Sequence, residues 1–187
     1  ENHGSRCYNF GMSKLIINNK IFAISDYENE NEIEDALENL SDKIFGYGRI
    51  YIRTKRLIGD ENKSIPDGYL LDLSTIKPTI HFIEVELDTH HIIKHIATQI
   101  LNFSLSFDEN KKKLIDIIIS YIDKKPEIKN KCKSYAEANN FENIHNLINK
   151  TIHESSFHPI VIINETETKL EVVLKEKFVF DVELLTL

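Results

Sequence analysis

The amino-acid sequence predicts an α/β fold in which a mixed central β-sheet is flanked by helices on both sides. Residues 79–87 are dense in β-branched and aromatic side chains, which is typical of a strand. Residues 27–45 and 89–107 instead carry apolar side chains at helical spacing. The tail, residues 159–187, has the pattern of strand, short helix and strand, so we expect it to extend the sheet.

The composition indicates one soluble globular domain. Of the 187 residues, 41% are hydrophobic and 28% are charged, which allows a sizeable core. No apolar run in the sequence approaches the length of a membrane span. Cys7 and Cys132 are the only cysteines, so we expect no disulfide framework and a reducing compartment, the cytoplasm. The net charge of −7 argues against indiscriminate coating of nucleic acid but is compatible with a local basic surface.

The first residues are predicted to lie outside the fold. Residues 1–11 precede the only methionine, Met12, and lack a core-forming period, so we interpret them as a leader. Residues 12–187 are predicted to form a single domain. Its apolar end, residues 184–187, is compatible with a place in a longer protein.

The individual elements follow from local patterns along the chain. Residues 27–45 have an acidic first turn and are followed by Gly46, which favours a helix that ends there. The segments 69–73 and 79–87 are predicted to pair as a hairpin. The other expected elements are a strand or strand pair at 15–24, a strand at 47–58, a loop at 59–64, helices within 108–152 interrupted around Pro126 and 139–140, a strand at 159–163, a helix at 165–174 and a strand at 178–187.

Two carboxylates share one face of the strand at 79–87. Period-2 alternation puts Glu84 and Glu86 on the same side as Ile80 and Phe82. An ionised carboxylate is costly to bury without a partner, so this strand needs a cation, hydrogen-bond donors or a solvated face. A divalent metal is one answer, because Mg²⁺ prefers oxygen ligands, and Asp67 would supply a third carboxylate.

The order and spacing of these acidic residues resemble a known family. Pro66-Asp67 followed by Glu84-x-Glu86 is similar to the core hairpin of the PD-(D/E)XK nuclease superfamily, which carries Pro-Asp, a spacer and Asp/Glu-x-Lys. The resemblance implies a restriction-endonuclease-like fold. It also implies an endonuclease that hydrolyses DNA phosphodiester bonds with Mg²⁺ or Mn²⁺, in restriction, defence or repair.

The helix after the hairpin adds to the resemblance, which covers roughly residues 28–107. Gln99-Ile-Leu-Asn-Phe103 resembles the Gln-x-x-x-Tyr motif of the RecB-like branch, with Phe in place of Tyr. Gln99 and His95 fall near one line of this helix, as do His91 and Asn102. If the family arrangement holds, that line faces the hairpin carboxylates, and Gln99 and His95 position substrate or water.

The resemblance assigns the remaining roles. Asp67 and Glu84 would bind the metal. Glu86 stands where the family usually has a lysine that orients the attacking water, so it would be a third acidic ligand or a base. The first helix often supplies a glutamate in this family. Glu30 is the candidate and Glu34 the alternative, although both also suit a solvated helix N-terminus.

A cationic strand is the candidate contact to DNA. Arg49, Arg53, Lys55 and Arg56 lie within eight positions. Ile50 and Ile52 alternate with Arg49, Tyr51, Arg53 and Lys55, so one face of the strand is predicted to be polar and cationic. Such a face suits contact with phosphates. An exposed strand with solubilising charges explains the same pattern. A homodimer is compatible with the sequence.

Two rival interpretations stay open. The chain could be a catalytically degenerate nuclease-like domain that binds nucleic acid or a protein partner, because the family lysine is missing. Alternatively, it could be a structural or interaction domain whose acidic strand residues pair with arginines such as Arg53.

Overall fold

A five-stranded mixed sheet lies between helices in the computed structural model, which describes residues 14–17, 20–23, 27–54, 66–88, 92–165 and 168–187. A separate two-stranded antiparallel hairpin precedes this sheet. The elements are β1 Lys14–Ile17, β2 Lys20–Ala23, α1 Glu30–Ile44, β3 Arg49–Arg53, β4 Gly68–Asp72, β5 Thr79–Glu86, α2 Ile92–Lys124, α3 Pro126–Ala138, α4 Ile144–Glu154, β6 Pro159–Ile163, α5 Thr168–Glu176 and β7 Glu183–Thr186.

The sheet has the strand order β3-β4-β5-β6-β7. β3, β4 and β5 are antiparallel neighbours, whereas β5, β6 and β7 run parallel to one another. Parallel neighbours need a crossover connection, and helices α2 to α4 and helix α5 provide the two crossovers. The predicted hairpin, the mixed sheet and its extension by the tail are therefore confirmed.

The helix boundaries have local causes. The side chain of Asn29 caps α1 by accepting a hydrogen bond from the Glu32 N–H at 3.2 Å. Gly46 follows α1 with a φ of +88°, a conformation that glycine adopts readily after a helix. Pro126 begins α3, where its missing N–H costs nothing, and Asn143 caps α4.

Helices cover both faces of the sheet. α1 packs through Ile33 and Leu37 onto the face that carries Tyr51, Ile83 and Val85. The opposite face is covered by α2, α3, α4 and α5. The core on that face includes Ile52, Leu71, Ile80, Phe82, Ile96, Ile100, Ile118, Leu147, Val161 and Ile163. The prediction of helices on both sides is confirmed.

Hydrogen bonds from two helices cover the outer edge of β3, the first strand of the sheet. The Tyr51 N–H donates to the Ser41 hydroxyl of α1 at 3.2 Å. The Tyr121 hydroxyl of α2 donates to the Tyr51 carbonyl, also at 3.2 Å. An uncovered edge strand is a template for association with another chain, so these bonds protect the edge at Tyr51.

Two predicted boundaries were wrong. The helix expected to end at residue 107 continues to Lys124 as one helix of 33 residues, because buried Phe107, Leu114 and Ile118 carry the apolar stripe across the lysine run. The last strand begins at Glu183 rather than at residue 178, since Phe178 and Phe180 pack beside the core under α2 and α5. The breaks at Pro126 and residues 139–140 are confirmed.

Some predictions concern residues outside the described ranges. These are the leader at 1–11, the end of the strand at 55–58 and the loop at 59–64. Among the helices that are described, none is both long and apolar enough to cross a lipid bilayer.

Candidate functional site

Asp67 lies immediately before β4, where two hydrogen bonds fix it against both neighbouring strands. Its carbonyl accepts a bond from the Thr54 N–H at 3.0 Å. Its carboxylate Oδ2 accepts a bond from the Val85 N–H at 2.8 Å. Because Gly68 pairs with Ile83, one further step of this antiparallel register brings Asp67 opposite Glu84. The structure therefore brings the first two predicted metal ligands together.

Helix α2 supplies partners for both glutamates of β5. Gln99 Nε2 donates a hydrogen bond to Glu84 Oε1. One turn earlier, His95 Nε2 lies 3.0 Å from Glu86 Oε1. The helix face that the sequence placed toward the hairpin carboxylates does contact them. Asn102 is exposed instead, and the side chain of His91 lies outside the described residues.

The three carboxylates are buried close to a partly open surface. Asp67 is 2% exposed, Glu84 4% and Glu86 8%, whereas the His95 side chain is 62% exposed. A charge taken from water in this way requires hydrogen-bond donors or a cation beside it. The Val85 N–H and the Gln99 amide each provide a donor, and the His95 ring lies 3.0 Å from Glu86 Oε1.

The donor chemistry fits a hard divalent cation. Carboxylate oxygens are the ligands that Mg²⁺ prefers, and it usually takes one or two of them together with waters and substrate phosphate. Within the described ranges, no group of three or more His, Cys, Asp and Glu side chains could hold a metal ion. Asp67 and Glu84 stay the predicted ligands, and the role of Glu86 as a third ligand likewise stays a prediction.

On the opposite face of the sheet, α1 and β3 form a buried ion-pair network. Arg53 is 4% exposed and Glu34 is 1% exposed, and Arg53 Nη2 lies 2.5 Å from Glu34 Oε2. Arg53 also pairs with Asp35 and donates to Asn31 Oδ1 at 3.1 Å. Burial alone would lower the pKa of Arg53, but the bond to Asp35 and the charge of Glu34 outweigh it and raise that pKa.

The prediction that Arg53 contacts phosphate needs correction, because its guanidinium is enclosed and paired with carboxylates. Arg49 is more exposed, although its Nε donates to Asp72 Oδ2 at 2.7 Å. Phosphate contact stays a prediction for Arg49, and Lys55 and Arg56 lie outside the described residues.

The glutamates of α1 differ in their surroundings. Glu30 is partly exposed at the start of the helix, and its predicted catalytic role stays a prediction. Glu34, the alternative, is fully enclosed between α1 and β3. Lys94, on the first turn of α2, is exposed to solvent.

Sequence reasoning missed the burial of Tyr51. Alternation placed it on a polar strand face, but it is 2% exposed, and its ring packs against Gly68, the residue after Asp67. A glycine at the start of a strand can signal the close approach of another group, and Gly68 was the available signal.

Comparisons of this chain with family models, with curated proteins and with solved structures give no match. Membership of the PD-(D/E)XK superfamily accordingly stays a prediction that rests on the motif residues and their arrangement.

Proposed function

We propose that this chain is a Mg²⁺- or Mn²⁺-dependent endonuclease of the PD-(D/E)XK superfamily, with a restriction-endonuclease-like fold, that hydrolyses DNA phosphodiester bonds. The observation that carries the proposal is the convergence of Asp67, Glu84 and Gln99. Asp67 is bound to the backbone of β5 beside Glu84, and Gln99 of the next helix donates to Glu84. The mixed sheet with helices on both faces is consistent with the fold proposed.

Asp67 and Glu84 would hold the cation. Bound there, the metal would polarise the scissile phosphate and lower the pKa of a water molecule. A buried pair of carboxylates suits this task, because the low local dielectric strengthens attraction to a cation. DNA phosphate would complete the set of oxygen ligands.

Gln99 would orient Glu84 for the metal. A ligand carboxylate that accepts a hydrogen bond from a packed side chain is held in one orientation, and such supporting bonds strengthen metal binding. Phe103, one turn further along α2, is 2% exposed and anchors the helix in the core. The phenyl ring at this motif position therefore has a packing role of its own.

Glu86 and His95 would act as a pair at the part of the site that is open to solvent. His95 Nε2 lies 3.0 Å from Glu86 Oε1, and this contact would hold the carboxylate in place. A carboxylate held in this way can accept a proton from a nucleophilic water. That role takes the place of the water-orienting lysine found in the family.

The proposal is tested first by metal binding. Mn²⁺ should raise the melting temperature of the parent protein, because a ligand that binds only the folded state stabilises it by mass action. Asp67→Asn should lose most of this increase, whereas Glu109→Gln, which changes an exposed glutamate of α2, should keep it. An unchanged melting temperature across millimolar Mn²⁺ in the parent would remove the metal from the proposal.

A plasmid-cleavage assay tests whether the chain hydrolyses DNA. In Mn²⁺, the parent should nick supercoiled plasmid, and Glu84→Ala and Glu86→Ala should abolish nicking while retaining the fold. Removing one of several clustered carboxylates also removes charge repulsion, so we expect no large loss of stability. Undiminished nicking by Glu84→Ala would indicate a contaminating nuclease and would contradict the proposal that this chain is an enzyme.

A catalytically degenerate nuclease-like domain is the second candidate, and the His95–Glu86 pair favours it. An acidic residue paired with an imidazole occupies the position where the family has a cation. On this alternative, the parent binds DNA in Ca²⁺ but cleaves nothing in Mn²⁺, and Glu86→Lys creates activity. If the parent is active, Glu86→Lys should instead lower cleavage.

A further inference from the structure

Tyr47 holds an aromatic ring in solvent at the turn between α1 and β3. The residue is 84% exposed, and it is flanked by Gly46 and Gly48, whose φ values are +88° and +86°. Glycine adopts this left-handed conformation readily. The Gly48 carbonyl accepts a hydrogen bond from the Leu73 N–H at 2.8 Å, and a Cβ atom at Gly48 would lie 3.1 Å from Ser74 Cα. The turn is therefore fixed against the end of β4 in a shape that keeps Tyr47 out of the core.

Lysines and aromatic rings are interleaved from Tyr47 across α3 to α4. The Lys131 ammonium lies 5.9 Å from the centre of the Tyr47 ring. Tyr135 follows Lys131 by four residues, so both side chains lie on the same face of α3. The Tyr135 ring stacks on that of Phe141, with centroids 6.2 Å apart, and the Lys150 ammonium lies 5.8 Å from the centre of the Phe141 ring. We call these five side chains the aromatic–lysine row.

The middle of the row is held in place by the turn between β4 and β5. The Tyr135 hydroxyl lies 2.6 Å from the Thr75 carbonyl oxygen and 3.1 Å from that of Ile76. Helix α3 itself is anchored through Cys132 and Ala136, which are buried in the core. A surface that is already formed before binding loses less conformational freedom when a ligand arrives.

The two lysines of the row are available to phosphate. Lys131 Nζ lies 3.1 Å from Asp42 Oδ2, but both side chains are exposed, and exposed ion pairs contribute little in water. Lys150 is exposed and pairs with no carboxylate within the part of the chain that the structure describes. On α3, the charge of Glu137 is offset by Lys133, whose Nζ lies 3.8 Å from its Oε1.

We propose that the aromatic–lysine row binds a single-stranded nucleic acid, with an unpaired base stacked on Tyr47 and phosphates beside Lys131 and Lys150. Aromatic faces next to cations suit such a strand, because every base has a flat π-face and every phosphate carries a negative charge. A duplex fits less well, since its bases are stacked on one another.

This inference does not rest on the proposed function. Tyr47 precedes β3 and residues 75–76 follow β4, whereas Asp67 precedes β4, so the row lies at the opposite end of the sheet from the candidate metal centre. The row shares no residue with that centre, and binding there requires no divalent cation.

A single tryptophan tests the stacking directly, because the chain has none of its own. In buffer with EDTA, an oligodeoxythymidine or an oligouridine should quench the emission of Tyr47→Trp, whereas a DNA duplex of the same length should not. Quenching by only one of the two strands identifies the ligand as DNA or RNA. Leu105→Trp is the matched control, because Leu105 is 78% exposed on α2, and its emission should be unchanged.

Anisotropy of a labelled oligonucleotide measures the contribution of each group. Tyr47→Ala should weaken binding roughly tenfold, within the range for the loss of one stacked base. Lys150→Ala should lower the slope of log affinity against log salt by about 0.7, the contribution of one phosphate contact in a single strand. Lys169→Ala, which removes an exposed lysine of α5, should keep the parental affinity and slope.

The inference is overturned if neither oligonucleotide quenches Tyr47→Trp, or if the duplex or Leu105→Trp gives equal quenching. Parental affinity in Tyr47→Ala would overturn it as well. Because these measurements are made without a divalent cation, their failure leaves the proposal for Asp67 and Glu84 standing. Conversely, a parent protein that Mn²⁺ does not stabilise would contradict the proposed function and leave the binding by the row unaffected.

Discussion

Gly68 is the residue on which the junction between β3 and β4 depends. It pairs with Arg53 across the two strands, and the ring of Tyr51 lies where its side chain would be. Neither strand leaves room for adjustment, because β4 is buried along its whole length and Tyr51 is enclosed. The absence of a single methyl group therefore lets a tyrosine reach the end of the sheet that carries Asp67.

Gly68→Ala should destabilise the fold, because the new Cβ would overlap a ring atom at 2.4 Å. Overpacking of this kind costs about 1–3 kcal/mol, which urea denaturation followed by circular dichroism measures as a lower midpoint.

A double-mutant cycle assigns the cost to Tyr51. In the background of Tyr51→Leu, which shortens the side chain, Gly68→Ala should cost much less than in the parent. Equal costs in both backgrounds would contradict the steric explanation and place the strain in the backbone of β4.

At the scale of elements, α1 is joined to the sheet by apolar packing and by the ion pair of Arg53 with Glu34. Both partners are almost fully buried, so each has lost its hydration and depends on the other. Asp35 also pairs with Arg53, but its side chain is 54% exposed. The pair with Glu34 is thus the one whose loss leaves a charge in the interior.

Arg53→Met should destabilise the protein by about 3–5 kcal/mol, since it leaves Glu34 buried without the guanidinium. The double variant Arg53→Met and Glu34→Leu should recover most of this loss, because no charge of the pair then remains. Chemical denaturation of the parent and both variants provides the comparison.

Asp35→Asn is the matched control. It removes the exposed partner of the same guanidinium, and exposed ion pairs contribute about 0–1 kcal/mol. If Asp35→Asn proves as costly as Arg53→Met, or if the double variant is no more stable than Arg53→Met, burial does not explain the importance of the pair.

The sequence predicted well what local pattern determines. The hairpin of β4 and β5 and the contact of His95 and Gln99 with the glutamates follow from alternation in a strand and from four-residue spacing in a helix. Burial in β3 could not be predicted in this way. A prediction from alternation assumes that one face of the strand is exposed to solvent. In this sheet α1 covers the face that carries Tyr51 and Arg53 as fully as other helices cover the opposite face.

The ends of α2 were also beyond local reasoning. The sequence predicted a helix that ends at residue 107, but α2 continues past the three lysines at residues 111–113 while Leu114 and Ile118 carry on the buried stripe. Which side of a helix meets a core depends on the elements packed against it. That information is tertiary and is not contained in the lysine run.

Across the whole molecule, α2 connects the candidate site to the largest part of the core. At about 1.5 Å per residue, its 33 residues extend roughly 50 Å. Its first turns hold His95 and Gln99 against β5, and its later turns pack through Ile118 and Ile122 in the cluster with α3 and α4. The position of Gln99 is therefore set by the packing of a long, well-anchored helix.

The sheet carries a second polar group at the end opposite to Asp67. His81, on β5, lies with Arg49, Asp72 and Glu183 around a cavity of about 250 Å³. The ring of His158 lies 5.8 Å from that of His81, centroid to centroid. Burial lowers the pKa of His81 and the nearby His158 lowers it further, while the charges of Glu183 and Asp72 oppose the shift without reversing it.

This shift makes stability depend on pH, and its sign follows from linkage. The unfolded chain protonates His81 near its ordinary pKa of 6.5, whereas the folded protein does so only at lower pH. Between these two values the unfolded state binds more protons, so the free energy of unfolding falls as the pH is lowered through 6.5 and levels off below the folded pKa. Asp72 adds a second loss of stability at more acidic pH, because its pKa in the folded protein lies below the ordinary value of 3.8. Burial alone would raise the pKa of Asp72, but hydrogen bonds from Ser74 and Arg49 outweigh that effect.

His81→Gln should remove the first of these losses. Urea denaturation at pH 7.5, 6.5, 5.5 and 5.0 should show the free energy of unfolding of the parent decreasing toward acid, and that of His81→Gln decreasing less over the same range. His153→Gln, which changes an exposed histidine at the end of α4, should follow the parent curve. Parallel curves for the parent and His81→Gln would show that the two states protonate His81 alike, and would assign the acid sensitivity to other groups such as Asp72.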